Sequence, residues 1–176
     1  IHPRPDERHI KYSDVYELSK TVKSEFNIEG NPIPKFIELV LIVKPDQVTL
    51  VPDGIDDITS NSGWNTKKHL NFLKKTIDTF KSRGIRTSIF LDPIPEMVKY
   101  ARETGTDRIE LYTEKYAKNF NKSCEDNIKP YIEAANLAHE LNLGLNAGHD
   151  LNLNNIEYFK NNIPNLKEVS IGHALI

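Results

Sequence analysis

The chain has 176 residues, of which 38% are hydrophobic and 27% charged, enough for one domain with a full hydrophobic core. Lys and Arg total 23 against 25 Asp and Glu, so the net charge of −2 gives no broad electrostatic reason to expect nucleic acid or an anionic membrane as a partner. The one cysteine, Cys124, excludes an internal disulfide and favours a reducing compartment, for which we expect the cytoplasm.

Short apolar, β-branched runs along the chain predict strands that alternate with longer amphipathic segments. We find no clean alternation of polar and apolar residues in these runs, as is typical of strands covered on both faces. The predicted strands are Ile1–His2, Phe26–Glu29, Gln47–Val51, Thr87–Leu91, Arg108–Tyr112, Gly144–Ala147 and Glu168–Ile171.

Apolar residues at helical spacing between these runs predict helices with one buried face. Ser13 is the predicted N-cap of the first helix, and Gly84 is a stop signal before the fourth predicted strand. The apolar stripes are Val15, Leu18 and Val22, then Leu70, Leu73, Ile77 and Phe80, then Ile128, Ile132, Ala135 and Ala138, then Ile156, Phe159 and Ile163.

Seven strands separated by helices predict a parallel sheet with helices outside it, either an open doubly wound sheet or a closed barrel. A nucleotide-binding doubly wound sheet usually has a glycine-rich turn after its first strand, and no G-x-G-x-x-G or G-x-x-x-x-G-K occurs here. A (β/α)8 barrel of the TIM type needs eight strands and about 250 residues. The barrel interpretation is therefore an α/β chain with seven of eight strands, a single domain over residues 1–176 that is truncated at both ends.

Polar residues just past the apolar runs are the candidate functional residues, because active sites of parallel architectures lie at the C-terminal ends of strands. Imidazole changes its charge near neutral pH, and together with carboxylates it suits a reaction with several proton transfers. The alternative is that these side chains hydrogen-bond loops. The candidates are His2, Arg4, Glu29, Pro52, Asp53, Asp92, Thr113, His149 and His173, with Glu110 inside its strand and His9 close behind the first.

Two glycine-containing strand ends and one long loop are candidate phosphate sites. The segments N-A-G-H, ending at His149, and S-I-G-H, ending at His173, let backbone N–H groups approach a ligand. Loops after the last strands of a barrel commonly bind phosphate, which favours Gly172 and His173, with tight strand packing as the alternative. The loop 53–65 is either a lid or binding loop, with Thr59 and Ser60 as phosphate donors, or a variable surface loop.

The sequence offers no metal or nucleophile motif. There is no H-E-x-x-H and no cysteine pair for zinc, and no motif activates a serine or cysteine. We therefore expect neither a metal nor a cofactor. A phosphosugar aldolase would need a Schiff-base lysine at a strand end, and no lysine stands there. The residues taken by themselves leave two other functions open. These are another phosphosugar lyase or isomerase, and a non-catalytic phosphosugar-binding barrel.

Taken in chain order, these motifs resemble the pyridoxine 5′-phosphate synthase family over the whole chain, from Ile1 to Ile176. Each motif alone is weak, and together they are highly specific. The matching segments are His2-Pro-Arg4-Pro-Asp-Glu-Arg-His9-Ile, Asn27-Ile-Glu29, Leu50-Val-Pro52 with Thr59, Ser88-Ile-Phe-Leu-Asp92, Ile109-Glu110-Leu-Tyr-Thr113, Asn146-Ala-Gly-His149 and Ile171-Gly-His173.

The resemblance implies a (β/α)8 barrel, assembled as a homo-octamer, that condenses 3-amino-2-oxopropyl phosphate with 1-deoxy-D-xylulose 5-phosphate. It implies acid and base roles for His2, Glu29 and His149 and a transition-state stabilising role for Glu110. The residues it assigns to substrate binding are Arg4, His9 and Thr59 for the deoxyxylulose phosphate, and Asp150, Gly172 and His173 for the amino-ketone phosphate.

The chain departs from the family pattern in two respects. Asp150 stands where the family usually has glycine, and a carboxylate would repel a phosphate there unless it turned away. The family's first strand, with its N-x-D-H segment, and its final helix have no counterpart in this chain, so we expect an incomplete barrel. No apolar run approaches the roughly 20 residues of a membrane span, and no signal peptide is visible. The resemblance implies phosphorylated small molecules and further copies of the chain as partners.

Overall fold

Parallel strands alternate with helices along the chain in the computed structural model, which describes residues 1–54, 60–172 and 174. In that part of the chain the strands form one sheet in the order β1-β2-β3-β4-β5-β6, and every neighbouring pair is parallel. The elements are α1 Tyr12–Thr21, β1 Asn27–Gly30, α2 Pro34–Val43, β2 Gln47–Leu50, α3 Leu70–Lys81, β3 Arg86–Leu91, α4 Pro95–Glu103, β4 Arg108–Tyr112, α5 Glu114–Glu140, β5 Gly144–Gly148, α6 Ile156–Asn162 and β6 Leu166–Ser170.

The sheet curls so that its two edge strands approach each other. The hydroxyl of Ser170 on β6 donates a hydrogen bond to Glu29 on β1 at 2.9 Å, although the two residues are 141 positions apart. Nearer the other end of the strands, the amide of Gln47 on β2 reaches Glu168 on β6 at 3.4 Å. This curvature, with helices between successive parallel strands, is that of an incomplete (β/α)8 barrel, so the predicted fold class is confirmed.

The predicted count of seven strands needs a correction, because the described residues contain six. Ile1–His2 is not a strand of its own. Ile1 nevertheless donates its amino group to Asn27 at 2.8 Å and accepts the N–H of Glu29 at 2.8 Å, which is the pattern of one parallel bridge. A single bridge fixes the chain just before His2 against β1, so His2 is placed by the sheet even without a strand.

The strands alternate in polarity, contrary to the sequence interpretation. In β4, Ile109 and Leu111 are fully buried on the helix side, whereas Arg108 and Glu110 face the inside of the barrel. The inner face is polar because these side chains pair across it: Arg108 forms an ion pair with Glu168, which also accepts from Asn146 at 3.0 Å. The interpretation failed because it assumed two apolar faces, whereas the inner face here is largely polar and its apolar part is the cluster of Val51, Phe90 and Tyr112.

The apolar core lies between the outer face of the sheet and the helices. The predicted stripes supply much of it, since Val15, Leu73, Ile77, Phe80 and Phe159 are fully buried. Helices α2 and α4 begin with Pro34 and Pro95, residues whose missing N–H costs nothing in a first turn. No helix of the described residues is long and apolar enough to cross a membrane.

The start of one helix differs from the prediction, a second helix is interrupted, and the predicted stop signal of a third is present. Helix α1 begins at Tyr12 rather than after Ser13, and the carboxylate of Asp14 accepts the backbone N–H of Lys11 at 2.9 Å, so the predicted cap was wrong. Helix α5 is interrupted at Ser123, whose extended backbone (φ −164°, ψ 82°) separates two helical parts. Gly84 follows α3 with a φ of 76°, in the left-handed conformation that a stop signal requires.

Candidate active site

The C-terminal ends of the strands open onto a cavity of about 1100 Å³. Residues from both edge strands, from the segment after Ile1 and from the loop after β5 line it. The predicted site residues among its walls are His2, Arg4, His9, Glu29, Glu110, His149, Asp150 and Gly172. The two remaining predicted site residues, Thr59 and His173, lie outside the described residues.

Glu29 is positioned by hydrogen bonds from two strands. Its Oε1 atom accepts the hydroxyl of Ser170 at 2.9 Å and the side-chain amide of Asn27 at 3.2 Å. The side-chain oxygen Oδ1 of Asn27 in turn accepts the hydroxyl of Thr49 at 3.2 Å. A carboxylate held in this way on rigid strands presents its second oxygen in a defined direction, which is what a proton acceptor needs.

Glu110 lies deeper in the wall and is 2% exposed. Burial raises the pKa of Glu110 well above its ordinary value, the negative charge of Glu29 raises it further, and a hydrogen bond from Ser170 acts in the opposite direction. Gly148 on the neighbouring strand leaves the space for this carboxyl group, because a Cβ atom there would lie 2.3 Å from Oε1 of Glu110. The site therefore contains one carboxyl group that prefers to be protonated beside another that is well hydrogen-bonded.

His2 and Arg4 meet at one carboxylate, that of Asp53. Oδ2 of Asp53 lies 3.2 Å from Nη1 of Arg4 and 3.4 Å from Nε2 of His2, and it accepts the hydroxyl of Ser60 at 2.9 Å. Desolvation lowers the pKa of His2, whereas the carboxylates of Glu29 and Asp53 raise it and Arg4 lowers it. The net lowering leaves His2 neutral at pH 7, the form that accepts a proton.

His149 occupies an uncommon backbone conformation at the end of β5. Its φ is 89°, and that of Asp150 is 60°, so two consecutive residues other than glycine are left-handed. Such conformations cost energy and collect at functional sites. Aspartate tolerates the left-handed region better than most residues other than glycine, which explains why Asp150 can stand at this position. The imidazole packs edge-on against Tyr112, with ring centroids 4.9 Å apart.

The carboxylate of Asp150 turns toward its neighbour. Its Oδ1 atom is 3.4 Å from Nδ1 of His149. His9 and Gly172 are exposed at the rim of the cavity, where a phosphate group could reach them. Among the described residues no group of three or more His, Cys, Asp or Glu side chains is arranged to hold a metal ion.

The sequence interpretation did not place several residues that shape the site. Asp53 was noted as a strand-end residue but received no role, and Ser60 was considered only as a phosphate donor. Tyr112, whose hydroxyl donates to the carbonyl of Ser60 at 2.9 Å, and Ser170 were read as parts of strands. Each lies two residues past a charged residue of the inner face, Glu110 or Glu168, and this period of two could have signalled that Tyr112 and Ser170 face the cavity as well.

Comparison with known proteins agrees with the order of the motifs. A family model described as pyridoxal phosphate biosynthesis protein PdxJ matches residues 1–176. Proteins named pyridoxine 5′-phosphate synthase from Christiangramia forsetii and Flavobacterium johnsoniae are 62% and 61% identical to the chain. In both cases the match covers 100% of this chain and 74% of the relative.

Two solved structures of low sequence identity share the fold. A deoxyribose phosphate aldolase from Aeropyrum pernix has a TM-score of 0.53 at 14% identity, over 78% of this chain and 61% of that one. The PaMucR phosphodiesterase, solved as a c-di-GMP complex, has a TM-score of 0.57 at 10% identity, over 89% and 66% of the two chains. These likenesses concern the fold alone, whereas the family match extends over the whole sequence. The chain thus belongs to the pyridoxine 5′-phosphate synthase family.

Proposed function

We propose that this chain condenses 3-amino-2-oxopropyl phosphate with 1-deoxy-D-xylulose 5-phosphate, releasing pyridoxine 5′-phosphate, inorganic phosphate and water. The observation that carries the proposal is that His2, Glu29, Glu110 and His149 line one cavity. A phosphosugar-binding barrel without activity would need the cationic and glycine-rich contacts, but it would have no use for two carboxyl groups between two histidines. Identities of 61–62% to proteins of this name support the same activity.

The proton transfers are divided among these groups in our proposal. Glu29 takes a proton from carbon, since its hydrogen bonds from Ser170 and Asn27 hold the carboxyl group in a fixed orientation. His2, neutral at pH 7, takes a second proton, and His149 gives one to a departing oxygen. Glu110 enters protonated and gives its proton to the imine nitrogen, and the carboxylate that remains stabilises the resulting iminium cation by its charge. The polar inner wall lets charge move within the site without exposing it to bulk water.

Two phosphate groups need two separate anion sites. We assign Arg4, His9 and Thr59 to the deoxyxylulose phosphate, and the backbone at Asp150 and Gly172, together with His173, to the amino-ketone phosphate. Arg4 offers a planar fork of donors that matches phosphate oxygens, and Gly172 leaves its N–H open to a close approach. The turn of the Asp150 carboxylate toward His149 supports a backbone contact at that position, since the side chain then stays off the anion.

The wider setting is also part of the proposal. We expect a cytoplasmic enzyme that assembles as a homo-octamer and works without a metal or cofactor. We further expect residues 1–176 to belong to one barrel domain, which the remaining quarter of the relatives' length completes.

Product formation from separate and combined substrates tests the function. The full-length protein should release inorganic phosphate and form pyridoxine 5′-phosphate when both substrates are present, and should leave each one intact when it is offered alone. A lyase or isomerase would consume one phosphosugar by itself, and a binding protein would consume neither. Either of those results would contradict the proposal.

A further inference from the structure

Asp53 is a buried carboxylate that the proposed division of roles does not use. It follows the end of β2 and is 2% exposed. Its backbone carbonyl accepts the side-chain amide of Asn31 at 2.7 Å, which fixes the chain at this point. A buried charge is costly unless it is paired and hydrogen-bonded, so the partners of Asp53 define why it is there.

Those partners are residues to which we assigned chemistry. Oδ2 of Asp53 faces the guanidinium of Arg4 at 3.2 Å and the imidazole Nε2 of His2 at 3.4 Å. Arg4 is itself 6% exposed and supplies the positive charge that balances Asp53. The contact to His2 is a close approach rather than a formed hydrogen bond, since Nε2 of His2 has no hydrogen-bond partner among the described residues. Contacts in unliganded active sites are often loose in this way before substrate tightens them.

The chemistry of a carboxylate determines which nitrogen of His2 carries the hydrogen. An ionised carboxylate is an acceptor, so the ring nitrogen that faces it is favoured as N–H. With Nε2 protonated, Nδ1 retains its lone pair. Besides Asp53, the charged side chains around His2 are Glu29 and Arg4. We propose that Asp53 is a positioning residue that holds His2 in the Nε2–H tautomer and keeps Arg4 beside it, so that Nδ1 is the proton acceptor.

The same carboxylate connects His2 to the opposite side of the cavity. Ser60 donates its hydroxyl to Asp53 at 2.9 Å, and the carbonyl of Ser60 accepts the hydroxyl of Tyr112 at 2.9 Å. Tyr112 packs against His149. Asp53 therefore anchors one end of a chain of contacts that spans the site between its two histidines.

The assignment rests on the proposed function for the role of His2, but the tautomer can be read without any activity. Long-range proton–nitrogen spectra of the full-length protein with ¹⁵N-labelled histidine distinguish the two tautomers, and loss of the signal in His2→Gln identifies it. The wild-type protein should show His2 as Nε2–H. An Nδ1–H signal would overturn the proposal, and this measurement needs no variant of Asp53 to fold.

The variant Asp53→Asn tests whether Asp53 is what determines the tautomer of His2. It should remove the preference for Nε2–H and lower kcat by roughly 10²-fold, the scale of a misplaced catalytic group, with a smaller change in KM. Asp92→Asn is the matched control, because Asp92 follows β3 and accepts the N–H of Gly63 at 3.0 Å without contacting His2. It should leave the His2 spectrum unchanged. An Asp53→Asn protein with the wild-type tautomer and pH profile would overturn the assignment.

The two hypotheses can fail separately. A wild-type protein that shows the Nε2–H signal but forms no pyridoxine 5′-phosphate would contradict the proposed function and would support the contact between Asp53 and His2. A wild-type protein that forms product while His2 is Nδ1–H would support the function and overturn the role of Asp53.

Discussion

Individual side chains in the cavity owe their chemistry to their surroundings. Glu29 and Glu110 are the same residue type on strands β1 and β4, yet Glu29 accepts two side-chain hydrogen bonds and Glu110 is almost fully desolvated. Burial raises the pKa of Glu110 and the negative charge of Glu29 raises it further, so Glu110 is the carboxyl group that keeps its proton more readily. This division gives one site both a proton acceptor and a neutral acid at the same pH.

Glu110→Gln should stabilise the protein at neutral pH while lowering its activity. The folded-state pKa of Glu110 is raised above 4.5, so folding costs free energy once the unfolded chain loses this proton, and stability falls as the pH rises from there. The amide carries no such penalty. Thermal unfolding should give a higher Tm than wild type at pH 7, by a few degrees for each ~1 kcal/mol, and no difference near pH 4.

Glu157→Gln, at an exposed position of α6, is the control for the loss of a surface carboxylate. It should unfold like wild type at both pH values. A Tm difference for Glu110→Gln that stayed the same from pH 4 to pH 7 would rule out the linkage to its proton.

Arg4→Lys should selectively weaken the binding of 1-deoxy-D-xylulose 5-phosphate. Lysine keeps the positive charge beside Asp53 but lacks the planar fork that holds two phosphate oxygens at once. Losing one charge-assisted hydrogen bond should raise KM for this substrate by about tenfold or more. Steady-state kinetics with each substrate varied in turn would measure it, and the KM for 3-amino-2-oxopropyl phosphate serves as the internal reference. An unchanged KM for the deoxyxylulose phosphate would remove Arg4 from that site.

At the scale of the elements, the end of β5 supports the site most tightly. The carbonyl of Gly148 accepts both the N–H and the hydroxyl of Thr113, at 2.9 and 2.7 Å, which ties β5 to the end of β4. The missing side chain leaves room for Glu110, and the two left-handed residues that follow direct His149 back over the cavity. A small residue is needed at position 148 because the side chains of Glu110 and Ser170 lie close against it.

Gly148→Ala should therefore lower both stability and turnover. The new Cβ would lie 2.3 Å from Oε1 of Glu110 and 2.9 Å from Cβ of Ser170, so both side chains must move. Overpacking of this kind costs about 1–3 kcal/mol, visible in denaturant unfolding. Gly172→Ala is the control for stability, since no atom of the described residues lies within 4 Å of a Cβ there. Equal unfolding midpoints for the two variants would refute the packing argument.

Strand β4 and helix α1 show which features of the fold local sequence patterns can predict. The strand β4 was predicted with its observed bounds, Arg108–Tyr112, because β-branched and apolar residues mark it clearly. The polar inner face was missed, since the pairing of Arg108 with Glu168 joins residues 60 positions apart. The N-cap of α1 was misplaced because the carboxylate of Asp14, the third residue of the helix, accepts the backbone N–H of Lys11, so the helix begins before Ser13.

At the scale of the whole molecule, the curvature of the sheet brings the separate sequence motifs together in one site. Ile1, β1 and β6 come from opposite ends of the sequence, and their contacts bring His2 and Glu29 next to Ser170. The order of the motifs could be predicted because each stands at the end of its strand. The proposed role of Asp53 could not, because it depends on His2 and Arg4, which lie near the start of the sequence and meet Asp53 only after folding.

The most direct test of the central claim, that this cavity performs the proton transfers of ring closure, is the turnover of Glu29→Gln measured separately from substrate binding. The amide oxygen can still accept from Ser170, so the shape of the site is kept while the proton acceptor is lost. We predict that kcat falls by roughly 10²-fold or more, the usual scale for a general base, while the dissociation constants of both substrates change little. Near-normal turnover in Glu29→Gln would contradict the account.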